Sequence, residues 1–335
     1  MNTQLHKENT MLKTKSPDIT ASAIDEGHPT TSMPFGNALI ELGRTRPEIV
    51  GMSADLAKYT DIHIFAEAYP DRFYQMGMSE QLMATAAGGL SKEGFIPFAT
   101  TYATFASRRC YDFMSQAVAE QDANVKLIGG LPGLTTGYGP SHQATDDIAI
   151  FRAMPNLTII DPCDAYEIEQ LVPALADHHG PVYSRILRGN VARVLDQYDY
   201  RFEIGKAALL RGGSDVLIIS TGFMTMRALD SAKELKSDGI DVAVLHVPTI
   251  KPLDELAILR EARRTGRLVV TAENHSRIGG LGEAVSSTLA MNGVCPELRR
   301  IALPDRFLDA GTLPVLQHRY GITREAMTEN IRRWL

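Results

Sequence analysis

The chain has 335 residues, 44% hydrophobic and 22% charged, with a formal net charge of −6, which fits a globular protein of two compact domains. That negative balance excludes a nucleic-acid or acidic-membrane partner, which would demand clustered Lys and Arg, and no segment reaches the apolar length of a membrane span. Cys110, Cys163 and Cys295 lie far apart without a CxxC, so neither a zinc site nor a disulfide framework is expected, and a reducing cytoplasm is the expected compartment.

In chain order, residues 1–33 are polar and rich in Ser, Thr, Pro and charge. They lack the apolar run of a secretory signal and read as an extended or disordered N-terminal arm. From Phe35 onward, short apolar runs alternate with amphipathic stretches. "EIVGMSADL", "FIPFAT", "NVKLIGG", "LTIIDP" and "PVYSRIL" read as buried strands, with helices expected near 82–91, 102–120, 144–153 and 164–177. Near-continuous apolar strands spaced by helices predict an α/β fold, a mostly parallel sheet covered on both faces. The rhythm breaks at "RGNVARVLDQYDYRFEIGKAALLRGG" and resumes with "DVLIIST", "DVAVLHVP", "RLVVTAEN" and "LRRIAL". The expected plan is a first domain over 34–190, a linker over 191–204, and a second α/β domain over 205–335.

Ligands of open α/β sheets bind beyond the carboxyl ends of the strands. Three loops there stand out: "GMSADLAKYT", "ATTYATFASRR" and the Gly/Pro-rich "GGLPGLTTGYGPSHQATDD" around His142. In "QMGMSEQLMATAAGGL" a single carboxylate, Glu80, sits among small and apolar residues. Burying it costs several kcal/mol unless compensated, so either the helix start keeps it wet or it has a particular partner. Phe98, Tyr102 and Phe105 recur at i, i+4 and i+7, the spacing of one helical face, which reads as a core stripe. By itself His142 reads as a structural histidine. In the second domain "RLVVTAENHSRIGGLGEAV" is a strand, a Gly-rich turn and a helix that could hold an anion. The turn departs from the dinucleotide pattern, with only Asp305 near the place of a ribose carboxylate. Glu273 and His275 close that strand, either facing an interface or ending in solvent.

"GMSEQLMATAAGGLSKEGFIPFATTYATFASRRCYDFM" followed by "GPSHQATDDIAIFRAMPNLTIIDPCDAYE" closely resembles the pyrimidine-binding domain of transketolases. "GKAALLRGGSDVLIISTG" and "VVTAENHSRIGGLGEAV" resemble their C-terminal domain, and together the likeness spans about 34–335. It implies thiamine diphosphate as cofactor, with Glu80 hydrogen-bonding N1′ of its aminopyrimidine. A carboxyl group in a dry pocket can share a proton with that ring nitrogen. Phe105 and Tyr102 match the cofactor-facing aromatics, Phe105 being the better stacking candidate, and Asp55 matches an acid near the cofactor. His142 matches the histidine that contacts the donor sugar, and Arg185 an arginine that binds its phosphate, with Arg188 in reserve.

The resemblance also marks what differs. The diphosphate domain of a full transketolase, whose G-D-G and downstream Asn hold Mg²⁺ and the cofactor tail, has no counterpart here. The chain thus resembles the C-terminal half of a split transketolase, with metal ligands on an N-terminal partner subunit, no metal ligands of its own, and an α2β2 assembly. On the substrate side, Leu131 stands where the family has a histidine, and Tyr138 where it has an acidic pair. Ser32 aligns with a phosphate arginine, and Lys58 or Tyr59 with a phosphate serine. Losing hydroxyl-reading groups shifts selectivity, so the expected donor is an unusual ketose phosphate, branched or modified, such as apulose 4-phosphate or a sulfo-sugar. Other readings stay open: the β subunit of the decarboxylating component of a 2-oxoacid dehydrogenase, a relative of 1-deoxyxylulose-5-phosphate synthase, or a non-catalytic scaffold subunit.

Overall fold

The computed structural model describes residues 26–264 and 266–335. Its strands are β1 (Thr30–Ser32), β2 (Ile49–Ser53), β3 (Phe73–Gln75), β4 (Ile96–Tyr102), β5 (Lys126–Gly130), β6 (Thr158–Ile160) and β7 (Val182–Ile186). They continue as β8 (Asn190–Ala192), β9 (Ala208–Arg211), β10 (Val216–Ser220), β11 (Val242–His246), β12 (Thr249–Lys251), β13 (Leu268–Ser276) and β14 (Leu298–Leu303). Every residue of β2, β4, β5 and β7 is buried, as expected of parallel strands with helices on both faces. The first sheet has the order β12-β6-β7-β5-β4-β2-β3, the second β14-β13-β10-β11-β9. Within them only β12 and β9, both edge strands, are antiparallel to their neighbours. The α/β, mostly parallel, two-domain plan is therefore present.

Four local expectations are corrected. The arm expected over 1–33 lies partly outside the described residues, but its end is not free: β1 pairs with β8, Thr30 opposite Ala192. The linker expected over 191–204 is a packed strap. Val191, Val194, Leu195, Tyr200 and Phe202 are buried, and the Asp164 carboxylate accepts the N–H groups of Val194 and Leu195 at 2.6 and 2.7 Å. The two domains also share a sheet, because β12 of the second domain pairs with β6 of the first, Thr249 opposite Ile160. Finally, Phe98 lies inside β4, whereas Phe105 lies in the helix Ala103–Phe113 that follows Tyr102. An i, i+4, i+7 spacing across a strand–helix junction therefore does not mark one helical face.

The helices fall close to expectation, at Glu80–Lys92, Ala103–Phe113, Asp147–Arg152 and Ala165–Asp177. The second continues into a wider π turn at Met114–Ala119. Gly88 lets the helix Glu80–Lys92 close on that turn, since a Cβ there would overlap the Ala117 carbonyl. Loops after β2, β4, β5 and β7 gather at one carboxyl edge, which is where the candidate residues stand.

Candidate active site

Glu80 is the first residue of its helix, and Ser79 gives that helix no side-chain cap. Its side chain is only 2% exposed, yet Oε1 accepts a hydrogen bond from the Arg109 guanidinium at 2.7 Å. Of the two readings, the wet helix end is wrong and the partnered carboxylate is right, although the partner in this chain is an arginine. The Cys110 thiol adds a bond to the Glu80 carbonyl at 3.2 Å. Arg109 is half-exposed, and its guanidinium carbon lies 3.9 Å from the centre of the Phe105 ring. Sequence reasoning missed Arg109. The available signal was its place four residues after Phe105, one turn along the same helix face.

The aromatic residues converge on His142. The imidazole lies 5.4 Å from Phe105, 6.1 Å from Tyr102 and 5.3 Å from Tyr138, centre to centre. Tyr102 also meets Phe105 at 5.8 Å and Tyr59 at 6.3 Å. Glu80, Arg109, Phe105, Tyr102, His142 and Tyr138 thus form one connected cluster, drawn from two helices, the end of β4 and the loop after β5. Burial and the nearby Arg109 charge both lower the pKa of His142, which favours a neutral imidazole that can both accept and donate a proton. Burial pushes the Tyr102 phenol up to about 12, with Arg188 opposing, so the hydroxyl stays protonated at neutral pH. Asp55 stands exposed just past β2 in the left-handed region, φ 59°, its N–H held by the Gln75 side chain at 2.7 Å. It shares the edge but makes no described side-chain contact with the cluster.

Arg185 does not join it. The side chain is 1% exposed, and its guanidinium donates to Asp147, to Asp161 at 3.2 Å, and to the carbonyls of Asn274 and Ala144 at 3.2 and 3.3 Å. With its donors turned inward, Arg185 is a structural tie and not a phosphate ligand. Arg188, partly exposed and 5.6 Å from the Tyr59 ring, is the arginine on the cluster side. Burial raises the Asp147 carboxyl, but Arg185 more than offsets this and holds it below the usual range. Burial pushes Asp161 up to about 6 against the same arginine.

Glu273 and His275 are fully buried where the domains meet, neither in solvent nor in a loop. The Gly-rich turn read as an anion holder already holds one of the chain's own: the Glu273 carboxylate accepts the N–H groups of Leu281 and Gly282 at 2.7 and 2.8 Å. His275 accepts the Ala149 N–H at 3.3 Å, and burial pushes its pKa down to about 4. Burial pushes Glu273 up to about 7, with the two amides opposing. Between the ordinary carboxyl range and that value, the folded chain keeps a proton the unfolded chain has released. Stability tied to this group is therefore present below about pH 4.5 and lost by pH 7, on the order of 3 kcal/mol. Glu273→Gln is expected to flatten that part of the stability–pH curve in denaturant unfolding, and an unchanged slope would refute the assignment.

The architecture so far defines a two-domain α/β protein with a candidate site on the carboxyl edge of a parallel sheet. Residues 28–193 match the family model of the transketolase pyrimidine-binding domain, and residues 205–327 that of the transketolase C-terminal domain. The chain belongs to the transketolase family. It is 62% identical to a transketolase family protein of Sinorhizobium fredii (strain NBRC 101917 / NGR234), over 94% of this chain and 92% of that one. It is 40% identical to a 6-deoxy-6-sulfo-D-fructose transketolase subunit of Clostridium sp. (strain MSTE9), over 86% and 89%. A solved split-gene transketolase, described as an inactive β4 tetramer, superposes with a TM-score of 0.81 at 38% identity, covering 90% of this chain and 96% of that one.

The family implies thiamine diphosphate, and the residues present suit its aminopyrimidine. They offer a buried carboxylate acceptor and an aromatic face. At the same strand–helix junction the Thr101 and Thr104 hydroxyls are buried without a hydrogen-bond partner among the described residues. No helix among the described residues is long and apolar enough to cross a membrane.

Proposed function

We propose that this chain is the pyrimidine-binding and C-terminal subunit of a two-subunit transketolase that moves a two-carbon ketol unit from a ketose phosphate to an aldose. The observation that carries this reading is the buried Glu80 carboxylate linked through Arg109 and Phe105 to His142. When bound, thiamine diphosphate supplies the carbanion chemistry of the transfer. Glu80 would hold the proton at the pyrimidine nitrogen, Phe105 would stack on the ring with Tyr102 beside it, and Asp55 would serve the cofactor from the β2 end. Such stacking is worth about 1 kcal/mol beyond burial. His142 and Tyr138 face the donor, His142 moving a proton at its hydroxyl or carbonyl oxygen, and Arg188 takes its phosphate or sulfonate.

The diphosphate and Mg²⁺ are assigned to a partner subunit, because the G-D-G motif has no counterpart in this sequence. Met78, 78% exposed, and Leu82, 54% exposed, flank Glu80, with Tyr111 and Phe113 partly exposed on the neighbouring helix. An apolar face of this kind beside the site supports docking of that partner, in an α2β2 assembly. The split-gene relative's description as an inactive β4 tetramer supports activity only in the assembled enzyme. Its setting is the cytoplasm.

The donor is a modified ketose phosphate or sulfo-sugar. Leu131 and Tyr138 replace hydroxyl-reading groups, and the Clostridium relative is described as a transketolase for a sulfonated fructose. The test mixes this chain with its diphosphate-binding partner, thiamine diphosphate and Mg²⁺, and compares 6-deoxy-6-sulfofructose, apulose 4-phosphate and xylulose 5-phosphate. Cofactor-dependent ketol transfer with a modified donor favoured by about tenfold or more in kcat/KM is expected. No transfer from any donor would point to a scaffold subunit, and equal use of xylulose 5-phosphate would overturn the donor assignment.

A further inference from the structure

The loop that carries His142 is shaped by the other domain. Residues 131–145 close on themselves through the Gly133 N–H, which donates to the Ala144 carbonyl at 3.0 Å, and otherwise leave the first sheet. The backbone enters the left-handed region at Leu131 (φ 54°), Gly133 (φ 57°) and Gly139 (φ 84°), and for Leu131 that conformation is strained. Buried peptide groups without a ladder partner must be satisfied elsewhere.

The first domain satisfies part of the loop: Arg108 and Arg185 donate to the Pro140 and Ala144 carbonyls, and Gln143 to the Thr136 carbonyl. The C-terminal domain supplies the partners of the turn at 132–134 and of the Gly137 and Thr145 carbonyls. Asn274 makes two bonds across one turn: Oδ1 accepts the Leu134 N–H at 2.9 Å and Nδ2 donates to the Pro132 carbonyl at 3.1 Å. Gln317 donates to the Leu134 carbonyl at 3.0 Å. Its amide is oriented by Arg227, which donates to the Gln317 oxygen at 2.6 Å. The N–H groups of Gly311 and Ser276 donate to the carbonyls of Gly137 and Thr145 at 3.0 and 2.8 Å. A Cβ at position 133 would overlap the Asn274 carbonyl, so the loop sits flush on β13. By contrast, the only described hydrogen bond of the His142 side chain is to Ser141, 2.9 Å from Nδ1. Apart from ring contacts, the imidazole's place follows the loop.

We propose that Asn274 and Gln317 are positioning residues, through which the C-terminal domain sets the shape of the 131–145 loop and so the place of His142 against the donor. This rests on the reading above, in which His142 handles the donor. Misplacing a reacting group by about 1 Å can cost about 100-fold in rate, whereas Glu80 and Phe105 lie outside the loop and keep their geometry when it shifts.

The test uses the assembled two-subunit enzyme with two variants. Gln317→Glu keeps an acceptor for Arg227 but cannot donate to Leu134, and Asn274→Ala removes both turn bonds. Donor turnover is expected to fall about 10- to 100-fold, while thiamine diphosphate affinity stays within about twofold. Amide hydrogen exchange over 131–145 should quicken, with exchange over Glu80–Lys92 unchanged. A general loss of structure would instead weaken cofactor and donor together and quicken exchange in both segments. If Asn274→Ala does not fold, Gln317→Glu decides alone. Unchanged turnover and exchange, in an enzyme that Glu80→Gln still inactivates, would overturn the positioning role only. Retained turnover in both Glu80→Gln and His142→Ala would overturn the functional reading beneath it.

Discussion

Replacing Glu80 with glutamine is expected to lower turnover of the assembled enzyme by about 10²- to 10⁴-fold, the usual worth of a positioned proton-handling group. The fold should survive. The wild-type carboxylate is 2% exposed and held by a single half-exposed arginine, and an uncharged amide of the same size is easier to bury than a carboxylate. An amide still accepts a hydrogen bond but cannot share a proton with a ring nitrogen, so binding of the cofactor should suffer less than turnover. Single-turnover kinetics alongside calorimetric cofactor binding separate the two. Near-wild-type turnover in Glu80→Gln would end the assignment of Glu80 to the cofactor.

Arg185→Met should act in the opposite manner, on the fold before the chemistry. It strands the Asp147 and Asp161 carboxylates, 0% and 6% exposed as side chains, without their common cation. Removing one partner of a buried ion pair costs about 3–5 kcal/mol, because the other charge stays buried and unpaired. The Tyr183 hydroxyl, which donates to Asp147 at 2.5 Å, compensates only in part. Denaturant unfolding should show that loss, and pairing the change with Asp147→Asn should recover part of it, since the two sites are in direct contact. An Arg185→Met chain of unchanged stability with a raised donor KM would restore the phosphate-ligand role that the burial of Arg185 argues against.

That Glu80, Phe105 and His142 stand near one another was legible in the residue order. Glu80, Phe105 and His142 each sit in a motif whose residue order carries its meaning, and the strand–helix alternation locates those motifs at strand ends. Arg109 was overlooked despite its spacing from Phe105, because a lone arginine on an amphipathic helix is ordinarily a solvated residue. Arg185 was misread for a related reason. A guanidinium at the end of a buried strand serves equally as an anion ligand or as an internal tie, and only its partners distinguish the two.

From the residues alone follow the α/β class and the identity of the buried strands, since each depends on apolar periodicity within a few neighbours. What tertiary structure decided lies in groups far apart along the chain. β12 joins the first domain's sheet, the strap after β8 is packed down by Asp164, the turn at Gly280 wraps the chain's own Glu273, and Asn274 reaches back to Leu134. Local pattern records whether a residue prefers to be buried. It does not record which distant polar group will be there to meet it, and burial makes that meeting obligatory.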